Sequence, residues 1–115
     1  MTRILPRILR SESLDITILN RPTDQLDRNP RPEDIALLIE VSDTSLEHDL
    51  GPKAQLHARA GIPEYWVVDL NGRRVVAHRD PRPEGYASLR IVEPTEALSP
   101  LAQPAASLSL ALLFA

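Results

Sequence analysis

Cysteine is missing from this chain, which excludes disulfides and thiolate metal sites and fits a reducing compartment. Lysine is nearly missing too: of thirteen basic side chains one is lysine, Lys53, and the rest are arginine. Aromatic residues make up 3%, so core volume has to come from Leu, Ile, Val and Ala. No charge excess stands out. A net charge of −3 argues against a surface coated in basic charge for non-specific nucleic-acid binding, while leaving room for a local basic groove. No apolar run approaches the roughly 20 residues of a membrane span. The opening "MTRILPRILR" lacks the long apolar core and cleavage site of a secretory signal, so the reading is of a cytoplasmic protein with no membrane partner. The apolar "SLSLALLFA" is too short to span and reads as an element docked on the core. No glycine-rich phosphate loop occurs, which argues against nucleotide-cofactor chemistry.

What is present suffices for one domain over residues 1–115. The chain is 43% hydrophobic and 25% charged, ordinary values for a globular protein. Residues 3–9, "RILPRIL", read as an extended edge segment interrupted by Pro6. "LDITIL", 14–19, alternates and is rich in β-branched residues, which predicts a strand. Residues 20–33 hold three prolines and read as a long loop. "IALLIEV", 35–41, reads as a strand buried on both faces. "SDTSLEHDLG" offers several helix starts. Pro52 suits a first helical turn, with the helix running to about Ala60 and Gly61 as its stop. "EYWVVDL" is the next strand, Asn71-Gly72 predicts a two-residue hairpin turn, and "RRVVAHR" is its partner. "DPRPEG" reads as a turn and "YASLRIV" as a last strand before a proline-spaced tail. Strand 35–41, the helix and strand 64–70 form a β-α-β unit. The predicted class is therefore α/β or α+β, with a mixed sheet and few helices.

Three residues break these patterns. Glu40 follows five apolar residues and precedes Val41. An unpaired ionised carboxylate is costly to bury, so Glu40 either lies at the strand's exposed C-terminal end or meets a cation, with an arginine ion pair as the bland choice. Lys53 is a compact charge able to position or activate a water, or else a chance exposed lysine. Asp15 sits in its apolar strand as Glu40 does in its own. Two carboxylates on neighbouring strands with a lysine nearby make an oxygen-rich site of the kind that holds Mg²⁺ and supports phosphodiester hydrolysis. Asp34, Asp43 and Asp49 read as loop, cap or turn residues. His48, His57 and His78 show no metal spacing. His57, four residues after Lys53, shares its helix face. Trp66 reads as packing.

The stretch "RPEDIALLIEVSDTSLEHDLGPKAQLHARAGIPEYWVVDLNGRRVVAHRDP" resembles the Uma-two type of restriction endonuclease domain, within the PD-(D/E)XK nuclease superfamily. "IEVSD", the Asp-x-x-x-Lys of "DLGPK", "ARAGIPEYWVVD" and the hairpin fall in order from about Pro32 to Asp80. "LSPLAQPAASLSLALLF" resembles the closing segment more weakly, and "SLDITIL" the strand of the first aspartate. The resemblance implies a restriction-endonuclease-like fold and a Mg²⁺-dependent DNA hydrolase, with Mn²⁺ as the alternative ion. Asp15, Glu40 and Lys53 would be catalytic. Asp15, Glu40 and the carbonyl of Val41 would hold the metal. Ser42 stands two residues after Glu40, and Lys53 supplies the lysine from the following helix instead. The departures are Leu14 before Asp15, where proline is more usual, His57 in place of tyrosine, and no counterpart of the opening helix and hairpin. A sheet incomplete at its N-terminal side is thus expected, with an uncovered edge, weak stability or self-association as a homodimer. The alternative function is a catalytically inactive nuclease-like domain that serves as a folding or interaction module.

Overall fold

In the computed structural model, which describes residues 7–10, 14–20 and 31–113, six strands form one mixed sheet in sequence order. They are β1 (Arg7–Arg10), β2 (Leu14–Leu19), β3 (Ile35–Ser42), β4 (Glu64–Asp69), β5 (Arg74–Arg82) and β6 (Gly85–Val92). Strands β3 and β4 are parallel and every other neighbouring pair is antiparallel. The crossover between the parallel pair holds two short helices, α1 (Leu46–Leu50) and α2 (Pro52–Arg59). The expected β-α-β unit is present, and the mixed α+β class with few helices holds. This is a restriction-endonuclease-like fold.

The period of two along each central strand sorts side chains between two faces. Leu38, Tyr65, Val67 and Val76 face the helices and pack with Ala54 and Ile62. Leu37, Trp66, Val68, Val75, Ala77 and Val92 face the other way. That second face is covered by the tail. Ala97–Leu98 (β7) pairs with Leu108–Ser109 (β8), the short helix Leu110–Leu113 (α3) follows, and Leu98 and Leu110 are buried in the same cluster. Because the sheet is covered on both faces, every residue of β4 is buried.

Several local expectations need correcting. One helix was expected from Pro52; the "SLEHDL" stretch forms a second one before it. Gly51 separates the two, and Pro52 opens α2. Gly61 ends α2 as expected, at φ +80°, where glycine carries no Cβ penalty. The Asn71-Gly72 turn is longer than two residues. Asp69 pairs with Arg74, so Leu70 to Arg73 form a four-residue loop, with Arg73 at φ 53°. The physical cause is the Asp69 carboxylate, which accepts bonds from the Gly72 N–H at 2.9 Å and from Arg74 Nε at 3.1 Å. A Cβ at position 72 would collide with that carboxylate. "DPRPEG" is mostly strand: β5 runs on to Arg82 and the turn is only Pro83 and Glu84. Of the expected loop over 20–33, residues 21–30 lie outside the described residues, as do Pro6 and the start of the first segment. Pro32–Asp34 forms a single 3₁₀ turn, closed by Asp34 Oδ2 accepting from the Arg31 N–H at 2.9 Å.

On the tail side, Glu64 is fully buried and fully satisfied. Its Oε2 accepts from Trp66 Nε1 at 2.7 Å and from Arg79, and its Oε1 accepts from the Leu101 N–H at 2.8 Å. Arg79 donates in turn to the Ser99 carbonyl at 2.7 Å. Trp66 is core packing, as read, but it also anchors this clamp between the sheet and the tail.

Candidate active site

Glu40 lies on the helix-facing side of β3, where strand alternation puts it in line with Leu38. It is 2% exposed, so its charge has to be met from within the protein. Lys53 meets it. The crossover returns α2 over the sheet, and Lys53, second residue of that helix, sets Nζ 2.9 Å from Glu40 Oε1. The bland expectation of an arginine partner is therefore corrected: the partner is the single lysine. Tyr65, from the parallel neighbour β4, donates its hydroxyl to Glu40 Oε2 at 3.0 Å. The same hydroxyl lies 2.9 Å from the Asp49 carbonyl, tying β4 to α1.

Asp49 belongs to this group, and the cap-or-turn reading of it is corrected. It is 0% exposed. Its Oδ2 accepts from the hydroxyls of Ser42 and of Ser45, the latter at 2.8 Å, and its Oδ1 lies 3.4 Å from Lys53 Nζ. Lys53 thus sits between two carboxylates. Spacing held a signal for this, because Asp49 and Lys53 are four apart across Gly51-Pro52, on one side of consecutive helical turns. Tyr65 carried a signal as well, since a tyrosine buried in a strand needs a partner for its hydroxyl. His57, one turn beyond Lys53, points Nε2 toward Glu40 Oε1 at 3.9 Å, with its ring edge-on to Tyr65.

Asp15 is described by its backbone register alone, which sets it directly opposite Glu40 in the β2–β3 ladder. Paired positions of an antiparallel ladder belong to one face of the sheet. The side chain of Asp15 lies outside the described residues. Val41 turns its side chain to the tail-side core, opposite Glu40. Asp43 and His48 are exposed outside this group, and His78 is buried on β5 with Nδ1 between the carbonyls of Tyr65 and Val76.

Two effects oppose one another at Glu40. Burial pushes its pKa up, but the polar neighbours His57, Asp49, Lys53 and Tyr65 outweigh it and bring the group from an ordinary 4.5 down to about 2. A carboxylate whose folded pKa is depressed contributes stability above its unfolded pKa and loses it as pH falls through the folded one. The window here is from about 4.5 down to about 2. Urea melts should therefore give a lower unfolding free energy at pH 3 than at pH 7, and Glu40→Gln should flatten that slope. An unchanged slope in the variant would assign the acid sensitivity to other groups.

For a divalent ion, the donor set fits in kind. Glu40 is ionised, and a carboxylate offers about four lone-pair sites. Lys53 and Tyr65 approach one oxygen each. Among the described residues, no three His, Cys, Asp or Glu side chains gather as a metal cluster.

A central mixed sheet whose one parallel pair is joined by a helical crossover has the layout of a restriction-endonuclease-like domain. Residues 6–112 match the family model Uma2, described as "putative restriction endonuclease", and the chain belongs to that family. No curated protein and no solved structure matches the chain. No helix among the described residues is long and apolar enough to cross a membrane.

Proposed function

We propose that this chain hydrolyses DNA phosphodiester bonds as a Mg²⁺-dependent endonuclease, with Mn²⁺ as an alternative ion, in the cytoplasm. The observation that carries the reading is the ionised, buried Glu40 held by a compact ammonium. Asp15, Glu40 and the Val41 carbonyl would hold the metal, which would polarise a phosphate oxygen and lower the pKa of its water. Lys53 would place positive charge beside the attacked phosphate and orient the attacking water. Tyr65 fixes the carboxylate's orientation from the neighbouring strand, and Asp49 with its two serine hydroxyls holds the far side of the ammonium. DNA as substrate follows from the family's description.

One observation favours a second reading. Glu40 is almost wholly buried and each of its oxygens already has a protein donor, as in a structural ion pair. Cleavage of supercoiled plasmid, with Mg²⁺ or Mn²⁺ and with chelator, separates the two. The nuclease reading expects metal-dependent nicking that Glu40→Gln abolishes. Intact plasmid with wild type and either ion favours the inactive module.

A further inference from the structure

Two buried side-chain atoms among the described residues have no hydrogen-bond partner, and both border Glu40: Asp49 Oδ1 and His57 Nε2. The first has the Lys53 ammonium 3.4 Å away. The second has only Glu40 Oε1, at 3.9 Å, a distance that serves an ion pair with an imidazolium but is too long for a hydrogen bond. Neither neutral tautomer removes the difficulty. A proton on Nε2 stops short of its acceptor, and a lone pair there faces a carboxylate. The ring is held by an edge contact with Tyr65, centroids 4.8 Å apart.

A nitrogen and a carboxylate oxygen at this separation suit one first-row ion. Two metal–ligand bonds near 2.0–2.2 Å reach at most about 4.4 Å, so one ion can bridge 3.9 Å. Resting on the metal reading above, we propose that His57 Nε2 is a further ligand of the ion held by Glu40, so that the site, while it accepts Mg²⁺, binds a first-row transition ion such as Mn²⁺ or Co²⁺ more tightly. Imidazole suits transition ions, whereas Mg²⁺ takes oxygen ligands and keeps several waters. The second unpartnered atom belongs to the same account. An ion on Oε1 competes with the Lys53 ammonium, and Asp49 Oδ1 is the carboxylate oxygen toward which that ammonium shifts.

The test is metal binding, measured without turnover. Metal-free full chain is titrated calorimetrically with Mg²⁺, Mn²⁺ and Co²⁺, and the visible spectrum of Co²⁺ is followed. Wild type should bind Mn²⁺ and Co²⁺ at least ~10-fold tighter than Mg²⁺. His57→Gln should keep its Mg²⁺ affinity. It should lose at least the roughly 10–100-fold in Co²⁺ affinity that even an outer partner of a metal ligand costs. His48→Gln, at an exposed histidine, should change neither ion. Unchanged Co²⁺ affinity in His57→Gln, or an equal loss in His48→Gln, overturns the assignment. Should His57→Gln not fold, the wild-type imidazole ¹⁵N resonances decide: they shift with diamagnetic Zn²⁺ if His57 is a ligand, and stay fixed if it is not. Mg²⁺ binding that survives Glu40→Gln, or wild type that binds none of these ions, defeats the metal reading itself and this inference with it.

Discussion

Lys53→Arg is expected to keep the fold and to lower the rate of plasmid cleavage by about 10²–10⁴-fold, the usual cost of losing a positioned catalytic group. Both halves of that expectation come from the same geometry. The ammonium is 2.9 Å from Glu40 and 3.4 Å from Asp49, in a space bounded by α2 and the sheet. Arginine keeps the positive charge, so the buried carboxylate is not abandoned. Its planar guanidinium is broader and presents a fixed fork of donors, and it cannot take an ammonium's place between two carboxylates. A chain that otherwise uses arginine throughout keeps its one lysine at this position. Lys53→Met is the contrasting variant. It strands Glu40 without its cation, and removal of one partner from a buried pair costs about 3–5 kcal/mol. Equal cleavage rates for wild type and Lys53→Arg would remove Lys53 from the mechanism.

The second large effect is expected far from that site. Arg79→Met should destabilise the domain by about 3–5 kcal/mol, because it leaves Glu64 charged, 0% exposed and without its cation. Against a typical domain stability of about 5–15 kcal/mol, that is a large share. The loss is not only electrostatic, since Arg79 also holds the Ser99 carbonyl. Glu64→Gln with Arg79→Met should recover part of the loss, because the stranded charge is gone. Urea unfolding of the two single variants and the double gives the coupling. Strictly additive losses would show that Glu64 and Arg79 act independently.

Much of this arrangement could be read before the structure, and the rest has identifiable reasons for escaping. Strands β3 and β4 were readable because burial on both faces leaves an unbroken apolar run, and α2 because Pro52 and Gly61 mark its ends. Glu40 and Lys53 stood out as exceptions, one to an apolar strand and one to an arginine-only composition. Asp49 did not, because it lies among polar residues in "SLEHDL", where an acidic side chain looks like a surface one. Its burial depends on Ser42 and on the sheet, which local spacing does not report. Tyr65 and Glu64 were absorbed into the strand pattern, though each carries a polar group that had to be satisfied. The hairpin loop came out too short in the reading because a side chain, Asp69, sets its length rather than the Asn-Gly pair. Strands β7 and β8, two residues each, are too short for any periodicity to reveal.

The cover over the tail-side core has a consequence for synthesis. Leu98, Leu108 and Leu110 close that face, and every strand of the main sheet precedes them in the chain. On a ribosome adding about 5–20 residues per second, the sheet's strands emerge while Trp66, Val68 and Val75 still face water. The nascent sheet therefore passes through an interval with one greasy side bare, which invites chaperone capture or pairing with another nascent chain. Glu64 is already in place during that interval, and the Leu101 N–H arrives to meet it, so the latch closes from a segment made after the sheet.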